Sequence, residues 1–518
     1  MISKYLQNIA PREYQQKIYE TCREKNTLVV LPTGLGKTLI ALLLTIDRLT
    51  QYPNEKVLFL APTKPLAEQH LNYFKKHLPE LFADMQLFTG AVNPEQRKKI
   101  FKTADIIFST PQCIANDVRN NLYSLTEVSL LVEDEAHRCI KNYDYNFIAK
   151  EYVRQSQHQR ILGLTASPGS EENKIRQICK NLSIDAVELR TRESVDVRPY
   201  LQDLEFEKIQ IDFPPEMEEI RHVLRALFDR YIEELKKRNV LFGPINKVAL
   251  IELQKKIMAS LARGNQNFNY MLAASACAQA VKLQHALELL ETQTLASFNK
   301  YLKELLSQAS KKQSKGVVRL VEKPEFNFIY TTSNELLSKG FEHPKVRKLI
   351  EIITYEKTQN PSLKTIVFTQ YRETAAQISK KLSEIPNVEA RVFIGQAKKL
   401  GVGLSQKEQK SIIESFKEGK INCLVATSIG EEGLDIPEVN AVIFYEPVPS
   451  AIRAIQRAGR TARLMPGKLI ILITKGTRDE SSYYASRARE KKMHTAIHSI
   501  KSNLANNNIK KAEKQKTL

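Results

Sequence analysis

Ten short apolar runs, falling into two groups of five, constrain this chain more than any other feature of its sequence. The first group occupies residues 27–31, 56–61, 105–109, 129–133 and 160–165. The second occupies 365–369, 390–394, 422–427, 441–446 and 468–474. Each run is too short for an ordinary helix and almost unbroken in apolar character, as a strand covered on both faces must be. Amphipathic stretches long enough for a crossover separate them. Both groups therefore predict a parallel sheet flanked by helices, and the fold class is α/β with two such domains.

The region between the groups follows a different period. After Pro214-Pro215, a helix start, Ile220, Leu224, Leu227, Tyr231 and Leu235 recur at helical spacing. Leu283, Leu287 and Leu290 share a second face, followed by Leu295, Phe298, Leu302 and Leu305, and the small-residue run 271–276 suits close helix packing. An all-helical insertion is expected here. A polar, basic stretch with Lys311, Lys312, Lys315 and Arg319 around Gly316 is expected to include a loop. Residues 487–518 carry nine Lys/Arg against two Glu and read as a helix fraying into a basic tail. The expected domains are 1–205, 206–340, 341–485 and a tail at 486–518.

Composition narrows the class of partner. With 78 Lys+Arg against 58 Asp+Glu the formal charge is +20, which favours an anionic partner, most commonly nucleic acid. The apolar stretch 39–44 is far short of the roughly 20 residues that span a bilayer. The N-terminus lacks an apolar signal core, so neither membrane insertion nor secretion is expected. Cys22, Cys113, Cys139, Cys179, Cys277 and Cys423 form no C-x-x-C pair, which leaves isolated buried thiols as the expectation.

Chemistry is concentrated in three places. Leu31-Pro32-Thr33-Gly34-Leu35-Gly36-Lys37-Thr38 follows a strand and opens an apolar helix. Two glycines let the backbone curl its N–H groups toward a phosphate, and the helix N-terminus adds positive partial charge. Lys37 can reach the β- and γ-phosphates and the Thr38 hydroxyl can ligate Mg²⁺. The general phosphate-loop pattern wants glycine at 31, where leucine stands, but Gly34 and Gly36 keep the tight turn. The second place is Glu133-Asp134-Glu135-Ala136-His137, just past a buried strand. There Asp134 can hold Mg²⁺, and Glu135 can orient and deprotonate water. The third is Gln456-Arg457-Ala458-Gly459-Arg460-Thr461-Ala462-Arg463, whose arginines repeat every three residues and would share one face of a helix around an anion. A solvated or nucleic-acid-binding basic face is the alternative.

With these elements in this order the chain resembles the superfamily-2 helicases of the DEAH-box type. Arg12-Glu13-Tyr14-Gln15 looks like the adenine-reading Q motif, 61–66 like motif Ia, Thr89-Gly90 like Ib and 109–112 like Ic. Thr165-Ala166-Ser167-Pro168 looks like motif III, 366–369 like motif IV, 426–437 like motif V and 456–463 like motif VI. The wording of 31–38, 134–145, 163–170 and 285–293 is most similar to archaeal Hef and its relative, the Fanconi anaemia group M family.

The resemblance implies two RecA-like motor domains with the helical insertion between them gripping branched DNA. It implies that Arg12, Gln15, Thr33, Gly34, Gly36, Lys37, Thr38, Gly433 and Asp435 bind ATP. Lys37, Asp134, Glu135, Gln456, Arg460 and Arg463 would be catalytic, with Mg²⁺ on Thr38 and Asp134. Thr63, Thr89, Gly90, Thr110, Thr369 and Thr427 would touch nucleic-acid phosphates, and Thr165 and Ser167 would couple the two sites. The implied activity is an ATP-dependent, 3′-to-5′ DNA helicase or translocase on forks. It would work at the nucleoid in the cytoplasm of an archaeal-type cell, with a separate nuclease or sliding clamp as partner and no small-molecule substrate but ATP. The Glu-Arg-Lys signature of the nuclease domain carried by Hef proteins does not occur, so remodelling without cutting is expected. Two rivals stand beside this reading: a duplex-RNA-stimulated ATPase of the RIG-I or Dicer type, and a non-catalytic nucleic-acid clamp.

Overall fold

The computed structural model describes residues 2–243, 245–263, 267–395, 403–428, 436–461 and 465–516. Strands β1 Thr27–Val30, β2 Lys56–Leu60, β3 Met85–Phe88, β4 Ile106–Ser109, β5 Val128–Asp134, β6 Ile161–Thr165 and β7 Ala186–Leu189 form a first parallel sheet in the order β3-β4-β2-β5-β6-β1-β7. Strands β8 Leu204–Ile211, β9 Thr365–Phe368, β10 Ala390–Phe393, β11 Cys423–Ala426, β12 Ala441–Phe444 and β13 Gly467–Thr474 form a second, in the order β10-β11-β9-β12-β13-β8. All ten apolar runs are strands. The reason lies in the packing: Leu28 and Val30 of β1 enter one core while Val29 enters the core on the opposite face. Successive side chains alternate in direction, so a sheet covered twice needs apolar residues at every position.

Sequence periodicity missed β3, β7 and β8, and all three are edge strands. β8 has only exposed and half-buried residues along its length. Although it precedes the insertion, β8 pairs with β13 from Leu204↔Gly467 to Ile211↔Thr474. The chain therefore joins the second sheet, leaves it for the helices, and returns.

Helices Pro215–Lys237, Lys247–Ala262, Phe268–Thr292, Leu295–Ser310, Lys315–Val321 and Pro324–Ser338 build the intervening bundle around one core. Within the basic stretch, residues 311–314 connect two helices and Lys315–Val321 is helical, with Gly316, Val317 and Leu320 buried. Gly316 packs beside Ser275, within the small-residue run, while Lys315 and Arg319 remain in solvent. The bundle is tied to the second lobe by Lys345, wholly buried, whose Nζ donates to the Thr292 carbonyl at 3.0 Å and pairs with Asp479.

Helix Arg478–Lys516 leaves the second lobe and crosses to the first. Met493, Ala496, Ile497 and Ile500 are buried in the first lobe's core, with Leu504 packed against it. Ser167 donates its hydroxyl to Met493 Sδ at 2.8 Å, and Lys501 pairs with Glu188 at 3.6 Å. Ile497→Ala is expected to lower the free energy of unfolding by about 2–5 kcal/mol, read from urea midpoints. A change near zero would mean the helix contributes nothing to the fold of that lobe. No helix among the described residues is long and apolar enough to cross a membrane.

Candidate active site

The turn after β1 is shaped by its neighbours. Gly34 and Gly36 take φ of 85° and 75°, which favour glycine, and a Cβ on Gly36 would meet Gln15 Nε2 at 2.3 Å. Gly36 caps helix Lys37–Gln51, so the backbone N–H groups of its first turn open onto the loop. Lys37 Nζ donates to the Leu31 carbonyl at 2.9 Å. Behind the loop, Tyr14 Oη and Gln15 Nε2 donate to the Leu35 carbonyl at 2.8 and 3.1 Å, while Gln15 Oε1 accepts from the Arg12 backbone N–H at 2.8 Å. Gln15, expected at a purine, thus braces the phosphate loop. The Arg12 guanidinium lies 5.3 Å from the Tyr200 ring centre.

The three acids at the end of β5 occupy three environments. Glu133 is fully buried, and burial pushes its carboxyl well above the ordinary range. At Asp134, burial acts in the same upward direction. The hydrogen bond to His70 and the positive charge of Lys37 outweigh it and hold the carboxyl below its ordinary value. His70 Nε2 lies 2.9 Å from Asp134 Oδ2, and Tyr145 Oη donates to the Asp134 carbonyl at 2.7 Å. Glu135 sits at φ 51°, in the left-handed region that costs a non-glycine residue about 1–2 kcal/mol.

That conformation places Glu135 Oε2 3.3 Å from His137 Nδ1, itself 3.2 Å from Thr165 Oγ1. Thr165 donates to the Ser167 carbonyl at 3.1 Å. The chain Glu135–His137–Thr165–Ser167 then reaches Met493 on the crossing helix.

The second lobe meets this site through the turn after helix Ala451–Ala458. A Cβ on Gly459 would fall 1.5 Å from Thr33 Oγ1, so the Gly459 backbone meets the Thr33 side chain at a distance only glycine allows. Gln456 and Arg460 flank this contact and are 1% and 8% exposed. One expectation is corrected: the arginines do not share a helical face. The helix stops at Ala458, and Arg457 is buried, its guanidinium 4.9 and 5.6 Å from the Phe368 and Phe444 ring centres. Spacing of three implies a common face only while the helix continues. Arg463, Gly433 and Asp435 lie outside the described residues.

Topology sorts the remaining residues. The phosphate loop, Asp134 and Thr165 end the adjacent strands β1, β5 and β6. Thr63, Thr89, Gly90 and Thr110 follow the carboxyl ends of β2, β3 and β4, on the other half of the sheet. Thr63 and Gly90 are exposed and Thr110 is half-buried. Thr89 is buried, its Oγ1 accepting from the Ala91 backbone N–H at 3.3 Å. Thr427 is buried after β11. Thr369 is not brought to this surface: it is fully buried, 3.5 Å from Gln293 of the bundle. Sequence reasoning did not find His70, which sits among apolar helix positions, or Met493.

Three family models match the chain in order: the DEAD/DEAH box helicase model over 12–175, the helical-bundle model of an ATP-dependent RNA helicase over 216–332, and the helicase conserved C-terminal domain over 344–465. A Methanocaldococcus jannaschii protein described as the ATP-dependent RNA helicase MJ1505 is 40% identical over 93% of this chain and 60% of its own length. The ATP-dependent DNA helicase mph1 of Neurospora crassa is 34% identical over 92% of this chain and 42% of its own. The chain thus spans about half the length of these curated relatives. The crystal structure of the Pyrococcus furiosus Hef helicase domain is 44% identical, with a TM-score of 0.71 over 92% of this chain and 98% of that one.

Proposed function

Because this chain belongs to the Hef type of superfamily-2 helicases, we propose that it is an ATP-driven DNA helicase or translocase acting on forked or branched DNA. The observation that carries this reading is the contact of Gly459 with Thr33: residues more than 400 positions apart meet at one phosphate loop. ATP would occupy the cleft between the lobes. Arg12 supports the base side, Gln15 braces the loop from behind, and Thr33, Gly34, Gly36, Lys37 and Thr38 take the phosphates. Gln456 and Arg460 approach from the second lobe, and Arg463, Gly433 and Asp435, outside the described residues, are assigned to the same site on the family resemblance alone.

Thr38 and Asp134 suit Mg²⁺, a hard cation that takes oxygen ligands and keeps several waters. The Asp134 carboxylate stays ionised although it is buried, which is the form such a ligand requires. When bound, the cation would supply charge neutralisation at the β- and γ-phosphates. Glu135 is held by His137 so that it can take a proton from water. Closure assembles both walls of the site and hydrolysis releases them, shifting one lobe along the strand. Thr63, Thr89, Gly90, Thr110 and Thr427 offer hydroxyls and backbone amides to phosphates, which fix position without reading sequence. Thr165 and Ser167 link the halves, and the bundle is the grip for the branch.

Phosphate release with forked DNA, linear duplex DNA and duplex RNA of equal length tests the reading. The fork is expected to stimulate most, with binding that weakens steeply as salt rises because phosphate contacts release counterions. Greater stimulation by duplex RNA would favour the second reading, an RNA-stimulated ATPase, whose support is the RNA wording of one matching model and one relative.

A further inference from the structure

Asp134 is held at both ends by residues with no assigned role. Its carbonyl accepts from Tyr145 Oη at 2.7 Å, and its Oδ2 lies 2.9 Å from His70 Nε2. Both side chains of the His70–Asp134 pair are more than nine-tenths buried. The direction of the hydrogen bond follows from charge: an ionised carboxylate can only accept, so the imidazole Nε2–H donates. The ring cannot turn away easily, because it packs against Phe59 of β2 with centroids 4.4 Å apart. His70 belongs to helix Lys64–His77 and buries there beside Ala67, Leu71 and Phe74.

A histidine wanted only for volume on that face could be any apolar residue. Its polar edge is aimed at a carboxylate oxygen of the acid that ends β5. The hydrogen bond at Oδ2 restricts rotation of the carboxylate and so the direction in which its remaining lone pairs point. We propose that His70 is a positioning residue for the nucleotide-bound divalent cation, acting through Asp134 by locking the orientation of that carboxylate. The proposal rests on the reading of Asp134 as a cation ligand. Groups that orient a ligand in this way change metal affinity or activity by about 10–100-fold when removed.

The test uses Mn²⁺ as the probe, titrated with ADP into the full chain and followed by electron paramagnetic resonance. Wild type is compared with Asp134→Asn, His70→Phe, which fills the space without a donor, and His70→Gln, whose amide can donate. Asp134→Asn should weaken Mn²⁺ binding, and His70→Phe should weaken it roughly tenfold or more. His70→Gln should return it to near the wild-type value. If the phenyl ring does not fit and the variant fails to fold, His70→Leu provides the same comparison. Unchanged Mn²⁺ affinity in the donor-less variant, or equal losses in it and His70→Gln, would overturn the proposal and leave a packing role. Unchanged affinity in Asp134→Asn would instead remove the cation reading of Asp134 itself, and the role of His70 with it.

Discussion

Lys37→Ala is expected to reduce ATP turnover by at least roughly 10²–10³, the cost of deleting one preorganised charge from a transition state, while leaving nucleic-acid binding near its original strength. The structure separates these effects. Lys37 Nζ donates to the Leu31 carbonyl, a hydrogen bond inside the loop that its removal deletes. The loop itself is braced by Tyr14 and Gln15, neither of which depends on Lys37. The strand ends proposed to face DNA belong to β2, β3 and β4, across the sheet from β1. Phosphate release at saturating forked DNA and fluorescence anisotropy of a labelled fork measure the two quantities. Turnover within a few-fold of wild type would take Lys37 off the phosphates. Parallel loss of both would mean that the loop also shapes the DNA surface.

The parts of the molecule that were legible in its sequence are those where burial is total. A strand covered on both faces has no freedom to be polar, so residues 27–31 or 129–133 announce themselves. An edge strand such as Met85–Phe88 has a free side, and the edge strand Leu204–Ile211 carries Glu205, Glu207 and Lys208 at exposed or half-buried positions. The phosphate loop and the acids after β5 were legible because few residue types can do their chemistry. Arg457 was not, because its guanidinium stacks on Phe368 and Phe444 where a phosphate contact was expected, and an arginine in a sequence does not reveal which it serves.

His70 was hidden for the opposite reason: a single histidine on an apolar helix face is usually a core residue. The crossing helix did carry a signal. Met493, Ala496, Ile497, Ile500 and Leu504 form one stripe, but it lies among lysines and arginines that drew the reading toward a tail. Composition averaged over a segment conceals a narrow apolar face, whereas helical periodicity would have exposed it.

The second large effect is expected at Arg460, and its neighbour Arg457 supplies the control. Arg460→Ala should slow hydrolysis by about 10³–10⁵, the range for an arginine that stabilises a phosphoryl group in transfer. The backbone there is fixed independently of the side chain. The Arg460 carbonyl accepts from the Val439 N–H at 3.2 Å, and Thr461 Oγ1 donates to the Val439 carbonyl at 2.6 Å. Gly459 is thereby set against Thr33 whether or not a guanidinium follows it, so the fold and the closed cleft should survive the change. Arg457→Ala removes a buried side chain from between two aromatic rings, and its main effect should be a lower unfolding midpoint. Single-turnover hydrolysis and urea denaturation of both variants separate the roles. Arg460 should lose rate and keep stability, and Arg457 should show a clear loss of stability. If Arg460→Ala hydrolyses ATP at the wild-type rate, the second lobe contributes no cation at this position, and closure at Gly459 serves only to exclude water.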